Sequence, residues 1–174
     1  MPADDIVDVS ADLGPQWWVR AAQGAVRRYC GWHVAPSIAE TLRVDGYGGR
    51  VLTLPSKHVT AIASVTVGDE DWRDRCDWSE AGTVLLRSGR WPDAPGAIRV
   101  DLTHGWETED VPEVAALILT VGRRARSQTG VIASQSVNGA SVTYQTAGGA
   151  PLSVPLLSVE KEMLDPYRLN WGPR

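Results

Sequence analysis

The spacing of apolar residues changes character twice along the chain, and these two changes constrain the fold more than any single residue does. From Gln16 to Cys30, Trp18, Ala22, Ala25, Val26 and Tyr29 recur on one face of a helix. Gly14-Pro15 puts proline near the first turn, Gly31 offers a stop, and Arg27 and Arg28 lie where positive charge complements the helix dipole. From Thr41 to Thr103 the helical spacing is gone. In its place stand short β-prone runs: Thr41 to Val44, Arg50 to Leu54, Thr60 to Val67, Thr83 to Arg87 and Ala97 to Thr103. The helical period then returns, with Asp110 as the expected N-cap, Pro112 and Glu113 in the first turn, and Val114, Leu117, Ile118 and Val121 as an apolar stripe running to about Ser127.

The β-prone stretch is punctuated by turn residues, which predicts an antiparallel region. Asp45-Gly46-Tyr47-Gly48-Gly49 is expected to close a first hairpin, Gly68-Asp69-Glu70-Asp71 to turn after the third run, and Trp91-Pro92-Asp93-Ala94-Pro95-Gly96 to precede the last. The alternation of Ala61, Ala63, Val65 and Val67 against Thr60, Ile62, Ser64 and Thr66 is imperfect, so both faces of that strand are expected to be partly covered. After Thr129-Gly130 the residues become small and polar. One strand or hairpin, Ser141 to Thr146, is expected around Asn138-Gly139, and a last short helix, 159–164, capped by Ser158 and stopped before Pro166. The expected class is α+β, divided into a domain over 1–129 (helix 16–30, β region 41–103, helix 111–127) and a C-terminal arm over 130–174.

Length and composition fit one core: 174 residues, 43% hydrophobic and 22% charged, enough to fold without metals or disulfides. A net charge of -4 argues against a chain whose main task is gripping phosphates. Lys57 and Lys161 are the only lysines, Phe is absent and Trp occurs eight times, the mix of a GC-rich coding sequence. Cys30 and Cys76 follow no CxxC spacing, which favours a reduced origin. The acidic Met1-Pro2-Ala3-Asp4-Asp5 carries no signal-peptide pattern, and no apolar run has the length of a membrane span.

Chemistry is sparse. His33, His58 and His104 fall in separate segments with no partner at ligand spacing and are expected to be loop or strand-edge residues; a metal site or a triad would need convergence in space. Nucleotide, P-loop and zinc-protease fingerprints are absent, and no cofactor, metal or catalytic residue is expected. Asp69, Glu70, Asp71 and Asp74, and again Glu107, Glu109 and Asp110, read as solvated turns, because glycosidase carboxylates stand on rigid elements in an apolar cleft. Trp18, Trp78 and Trp91 adjoin apolar runs and are expected in the core rather than stacking on sugars. Arg123, Arg124 and Arg126 could be a solvated helix end, a subunit contact or a phosphate contact.

Taken in order, Leu52-Thr53-Leu54-Pro55, then Val59 through Val67, then Trp91-Pro92, then Val100-Asp101-Leu102-Thr103-His104-Gly105-Trp106, then Val111-Pro112 at a helix start resemble the head-to-tail connector (adaptor) family of long-tailed bacteriophages. That family's pattern is LP-x-x-P-V-x-x-V-x-x-V-x-V, a WP turn, V-x-Y-x-H-G-aromatic, and VP or IP opening a helix. Thr129-Gly130-Val131, Ser141-Val142-Thr143-Tyr144 and Leu164-Asp165-Pro166-Tyr167-Arg168 extend the likeness, which covers about Ala21 to Arg168. Leu102 departs from it in place of the usual aromatic, and Lys57-His58 in place of a proline.

The resemblance implies a helical core with an inserted β portion and a non-enzymatic role. Subunits would form a ring, commonly of twelve, docked beneath the portal and continued by a stopper or tail terminator. DNA would pass through its channel without sequence-specific binding; the protein would be made in the bacterial host cytoplasm and end in the virion neck. Tyr167, Arg168, Leu169 and Trp171 are then candidates for portal contact, Asp69, Glu70 and Asp71 for the lumen or the next ring, and Arg123, Arg124 and Arg126 for contacts between subunits. Rival readings are another neck protein (a stopper or tail terminator), a small secreted carbohydrate-binding or hydrolytic protein, against which the missing signal peptide counts, and a DNA-packaging accessory, which should be basic.

Overall fold

The computed structural model describes residues 14–127 and 154–169, together with four short strands between them. Helix α1 (Pro15–Cys30) begins with proline in its first turn and ends at Gly31, whose left-handed φ of 80° lets its N–H reach back to the Arg27 carbonyl. Seven strands follow: β1 (Ile38–Tyr47), β2 (Val51–Thr53), β3 (Val59–Val67), β4 (Glu70–Asp71), β5 (Cys76–Trp78), β6 (Thr83–Leu86) and β7 (Asp93–His104). Helix α2 (Pro112–Ser127) packs along α1 and helix α3 (Ser158–Leu164) closes against both. The chain is thus α+β, with the β region inserted between the paired helices.

The strands form two antiparallel sheets, one ordered β1-β7-β3-β4 and the other β2-β6-β5. Their inner faces share one core of Leu52, Leu54, Val59, Ile62, Val65, Val84, Leu86, Trp91, Ile98, Val100 and Leu102. A second core lies among the helices, built on Ala22, Val26, Cys30, Trp32, Val34, Val111, Val114, Leu117, Val121 and Leu164. Of the tryptophans expected inside, Trp18 and Trp91 are buried, and Trp78 packs against the β core half-buried.

Several local expectations are corrected. The glycines of Asp45 to Gly49 do not close a hairpin between β1 and β2, because β1 pairs with β7 and β2 with β6. Gly46 instead lies opposite Ala94 within the sheet, and a Cβ there would overlap the Pro92 carbonyl oxygen. The chain needs a bare backbone at that crossing, where Trp91 also donates its N–H to Gly49 O at 2.8 Å and its indole N–H to Arg50 O at 3.0 Å. Gly46→Ala is therefore expected to lower the unfolding free energy by about 1–3 kcal/mol in urea denaturation. An unchanged midpoint would mean the crossing can relax.

Asp93 to Gly96 likewise belong to β7 rather than to a turn before it. Pro95 and Gly96 sit where the register slips, held by the Gly96 N–H on Asp45 Oδ1 at 2.6 Å and the Arg43 Nε–H on Gly96 O at 2.8 Å. The broken alternation of β3 comes from two β-bulges, at Thr60 and Ala63, and not from burial on both faces. Each inserts one residue, so Val59, Ile62 and Val65 all point inward at a spacing of three while Thr60, Ala61 and Ala63 are exposed. Strand β5 has no counterpart in the sequence reading.

Helix ends also differ by a residue. Asp110 closes a 3₁₀ turn over Thr108–Asp110, and it is Val111 whose carbonyl takes the first helical N–H groups, from Val114 at 3.1 Å and Ala115 at 3.3 Å. Ser158 is inside α3; the cap is made by Glu160, which accepts the Leu157 N–H at 2.8 Å. Strands β8 (Ser134–Val137) and β9 (Ala140–Thr143) pair with Val137 opposite Ala140, so a hairpin is found, with its second strand over 140–143 where 141–146 was expected. Its turn, Asn138-Gly139, lies outside the described residues, as do Thr129 to Val131. Strands β10 (Thr146–Ala147) and β11 (Ala150–Pro151) form a second short ribbon.

Candidate assembly surfaces

The helical and β cores meet at His104, Gly105 and Trp106, where β7 ends. Gly105 has φ 97°, and a Cβ would stand 2.9 Å from Pro36 O and 3.3 Å from the His33 ring, so only glycine lets the chain through. Its N–H bonds His58 O at 2.9 Å and that of Trp106 bonds Val34 O at 3.0 Å. The Trp106 ring then stacks on His58, centroids 4.9 Å apart and 5° from parallel, and meets Trp32 and Tyr167 edge-on at 5.3 and 5.2 Å.

His33 and His58 lie in loops and His104 is the last residue of β7, and all three converge on this seam. His33 and His104 have ring centroids 5.9 Å apart, and His58 lies across Trp106. Each already has a partner: His33 Nε2 meets Pro36 O at 2.5 Å, His58 Nδ1 meets Glu80 at 2.6 Å, and His104 Nε2 meets Glu40 at 2.7 Å. Burial holds the His33 pKa below its ordinary value, outweighing the Pro36 bond, so this ring is neutral near pH 7 and donates to that carbonyl. Among the described residues no His, Cys, Asp or Glu group is arranged to hold a metal ion. The seam is a packed joint between the two cores. The signal for it was in the sequence, in the His-Gly-aromatic step at the end of a β run.

Two of the candidate portal contacts, Tyr167 and Leu169, turn back onto the helical core. The part of the expected arm from Val154 to Leu169 packs into the helical core through Val154, Leu156, Leu164, Tyr167 and Leu169, because these apolar residues bury against α1 and α2. Tyr167 accepts the Trp32 indole N–H on its carbonyl at 2.7 Å and donates its hydroxyl to Glu113. Burial, reinforced by that bond, pushes its phenol up to about 12. Leu169 N–H bonds Cys30 O at 2.8 Å, and Arg168 lies over the Tyr29 ring at 5.3 Å, exposed. Trp171 lies outside the described residues.

In the acidic turn, Asp71 accepts the N–H groups of Arg73 at 2.9 Å and Val65 at 3.1 Å, which hold its carboxyl below the usual range. Glu70 accepts the Trp72 indole at 3.0 Å and pairs with Arg75 at 3.3 Å, while Asp69 is exposed at the tip. The turn is as much a bonded hairpin end as an acid patch.

The three arginines separate. Arg123 and Arg126 are exposed, whereas Arg124 grips both carboxylate oxygens of the buried Glu160 and the Pro155 carbonyl at 2.6 Å, fastening α3 to α2 within one subunit. On another side of the helical pair a groove of about 260 Å³ opens between α1 and α2, with Val26 and Val114 at its floor and Val19, Ile118 and Leu119 toward solvent. Exposed apolar side chains also stand on α3, at Val159 and Met163, and at Leu157 just before it.

No protein-family model matches the chain, and no curated protein matches it. Its fold is similar to that of a chain in the neck of a native gene transfer agent particle, a phage-like particle, computed with C12 symmetry. The two are 12% identical with a TM-score of 0.60, over 92% of this chain and 86% of the other. A chain in the neck of an empty such particle, computed with C6 symmetry, is similar at 12% identity and a TM-score of 0.59, over 97% of this chain and 86% of that one. At this identity the likeness is one of fold.

Proposed function

We propose that the chain is a non-enzymatic structural subunit of a phage-type neck. It forms a ring adaptor between the portal and the tail or stopper, and so encloses a channel for DNA. The observation that carries this reading is the extent of the fold similarity, which takes in 92% of this chain and 86% of a chain from a neck assembly. The ordered motifs from Leu52 to Arg168 point independently to the connector among neck proteins.

In this reading each subunit binds its neighbour through two different faces, as a closed head-to-tail ring requires. The lateral and axial interfaces are each of standard size, on the order of 1,600 Å². Arg168 and Trp171 contribute to portal contact, Tyr167 and Leu169 anchor that end by packing on the helical core, and Arg123 and Arg126 contribute to contacts between subunits. The tip at Asp69 to Asp71 faces the lumen or the next ring, where the -4 net charge discourages DNA from sticking.

Electron microscopy of the protein mixed with a cognate portal tests the proposal. The expected result is a ring of extra density coaxial with the portal on its tail side. Monodisperse monomers beside bare portals would refute it, and a ring bound only to a tail end would favour the stopper or terminator reading.

A further inference from the structure

We infer that the α1–α2 groove is a socket for α3 of the next copy of this chain, so that neighbouring subunits in the ring join groove to ridge; the inference rests on the ring reading above. The groove is small. At about 260 Å³ it falls short of the roughly 300–1,000 Å³ of small-molecule sites, yet it has room for the tips of one or two side chains. Its walls are apolar, with Val19 and Val26 from α1 facing Val114, Ile118 and Leu119 from α2, and its polar edge carries one positive charge, Arg27.

The same chain displays a shape that fits. Val159 and Met163 stand four residues apart on α3, hence side by side at about 5–6 Å, and they are 59% and 47% exposed. Glu162, also exposed, lies three residues from Val159 on that face and brings a negative charge to meet Arg27. A row of helix side chains seating in a depression between a neighbour's side chains is how helices ordinarily pack. Two further exposed apolar residues, Tyr47 and Val51, instead border a broad hollow on the sheet beside Arg43 and Pro55.

A subunit cannot fill its own socket. α3 is fastened to α2 at Arg124, six residues beyond Ile118 and so about 240° round the helix, and no residue of α3 lines the groove. Groove and ridge thus lie on different sides of one body, the arrangement that propagates a head-to-tail contact rather than closing a pair.

Cysteine cross-linking within assembled rings tests the contact. The native Cys30 and Cys76 are buried, and burial pushes the Cys30 thiol up to about 11, so both stay silent in the folded protein. A chain carrying Leu119→Cys and Met163→Cys, assembled on a cognate portal and mildly oxidised, should give a ladder of covalent oligomers on non-reducing gels. Each single variant should remain monomeric. A covalent dimer from L119C alone would mean that grooves meet each other, and would overturn the inference. Rings visible by microscopy but yielding no ladder would also overturn it while leaving the ring reading intact, and would assign the groove to another occupant such as the portal or residues 1–13. Failure of the unmodified chain to form any ring would remove the ring reading itself, and the inference with it.

Discussion

Trp32→Ala should lower the free energy of unfolding by about 3–5 kcal/mol, a large fraction of the roughly 5–15 kcal/mol that holds a domain together. Trp32 is 6% exposed and belongs to the helical core, but its ring also meets Trp106 edge-on at 5.3 Å and tilts over His104 at 6.1 Å. Its indole N–H is held by the Tyr167 carbonyl at 2.7 Å. One side chain thus touches α2's approach, the end of β7 and the returning C-terminal segment. Alanine would leave a void under the seam and strip the Tyr167 carbonyl of its donor, two penalties that add. Trp32→Phe keeps most of the apolar contact and loses the bond, so it should fall well short of the alanine effect. Chemical denaturation followed by circular dichroism measures both, and a loss below about 1 kcal/mol for the alanine variant would show that the seam is held elsewhere.

The helices were legible in the sequence because their signal is local. Pro15, Gly31 and the stripe of Trp18, Ala22, Ala25 and Val26 each report on residues within a turn or two. The strands were found as runs, but their pairing was misread at Asp45 to Gly49. Glycines suited to a hairpin are equally suited to a close crossing, and only the distant Trp91-Pro92 decides between them. β3 shows the same limit. Its inward spacing of three contradicts any single-period reading, yet it follows once Val59–Val67 pairs with the shorter stretch Ile98–His104 of β7 and two bulges absorb the difference. The V-x-x-V-x-x-V-x-V spacing of the connector pattern is what such a doubly bulged strand looks like in one dimension.

The assembly surfaces were less legible, because fit between surfaces leaves little trace in one chain. Tyr167 and Leu169, chosen for their place near the C-terminus, turn inward, since an aromatic and an aliphatic residue after a short amphipathic helix gain more by covering the Cys30 end of α1 than by standing in water. Arg124 looked like its neighbours Arg123 and Arg126, and nothing local marks it as the one whose partner, Glu160, lies 36 residues on. The three histidines show the converse case: spacing along the chain gave no sign of grouping, and the fold brings His33 beside His104 and stacks His58 on Trp106.

Arg124→Ala should be comparably damaging, at about 3–5 kcal/mol, because it leaves a carboxylate buried without its counter-charge. Glu160 is 7% exposed and accepts from Arg124 on both oxygens and from the Leu157 N–H at 2.8 Å. Burial alone would raise its pKa, but the Arg124 and Leu157 bonds together outweigh burial and hold it below the ordinary value. In the native protein this group therefore adds stability above its unfolded pKa of about 4.3, and that contribution is lost as the pH falls through the lower folded value. Without Arg124 the balance reverses: burial dominates, the folded pKa rises above the unfolded one, and protonation relieves the variant. The stability gap between native protein and R124A should thus be widest near about pH 7 and should narrow toward about pH 4, as read from urea midpoints across that range. A gap independent of pH would show that Arg124 acts through packing rather than through the charge of Glu160. Replacing both residues by leucine should recover much of the loss, since an apolar pair leaves no buried charge to be satisfied. If the chain forms the proposed ring, the outcome also bears on assembly, because Arg124 holds α3 against α2 and R124A should then weaken ring formation in step with the loosening of that helix.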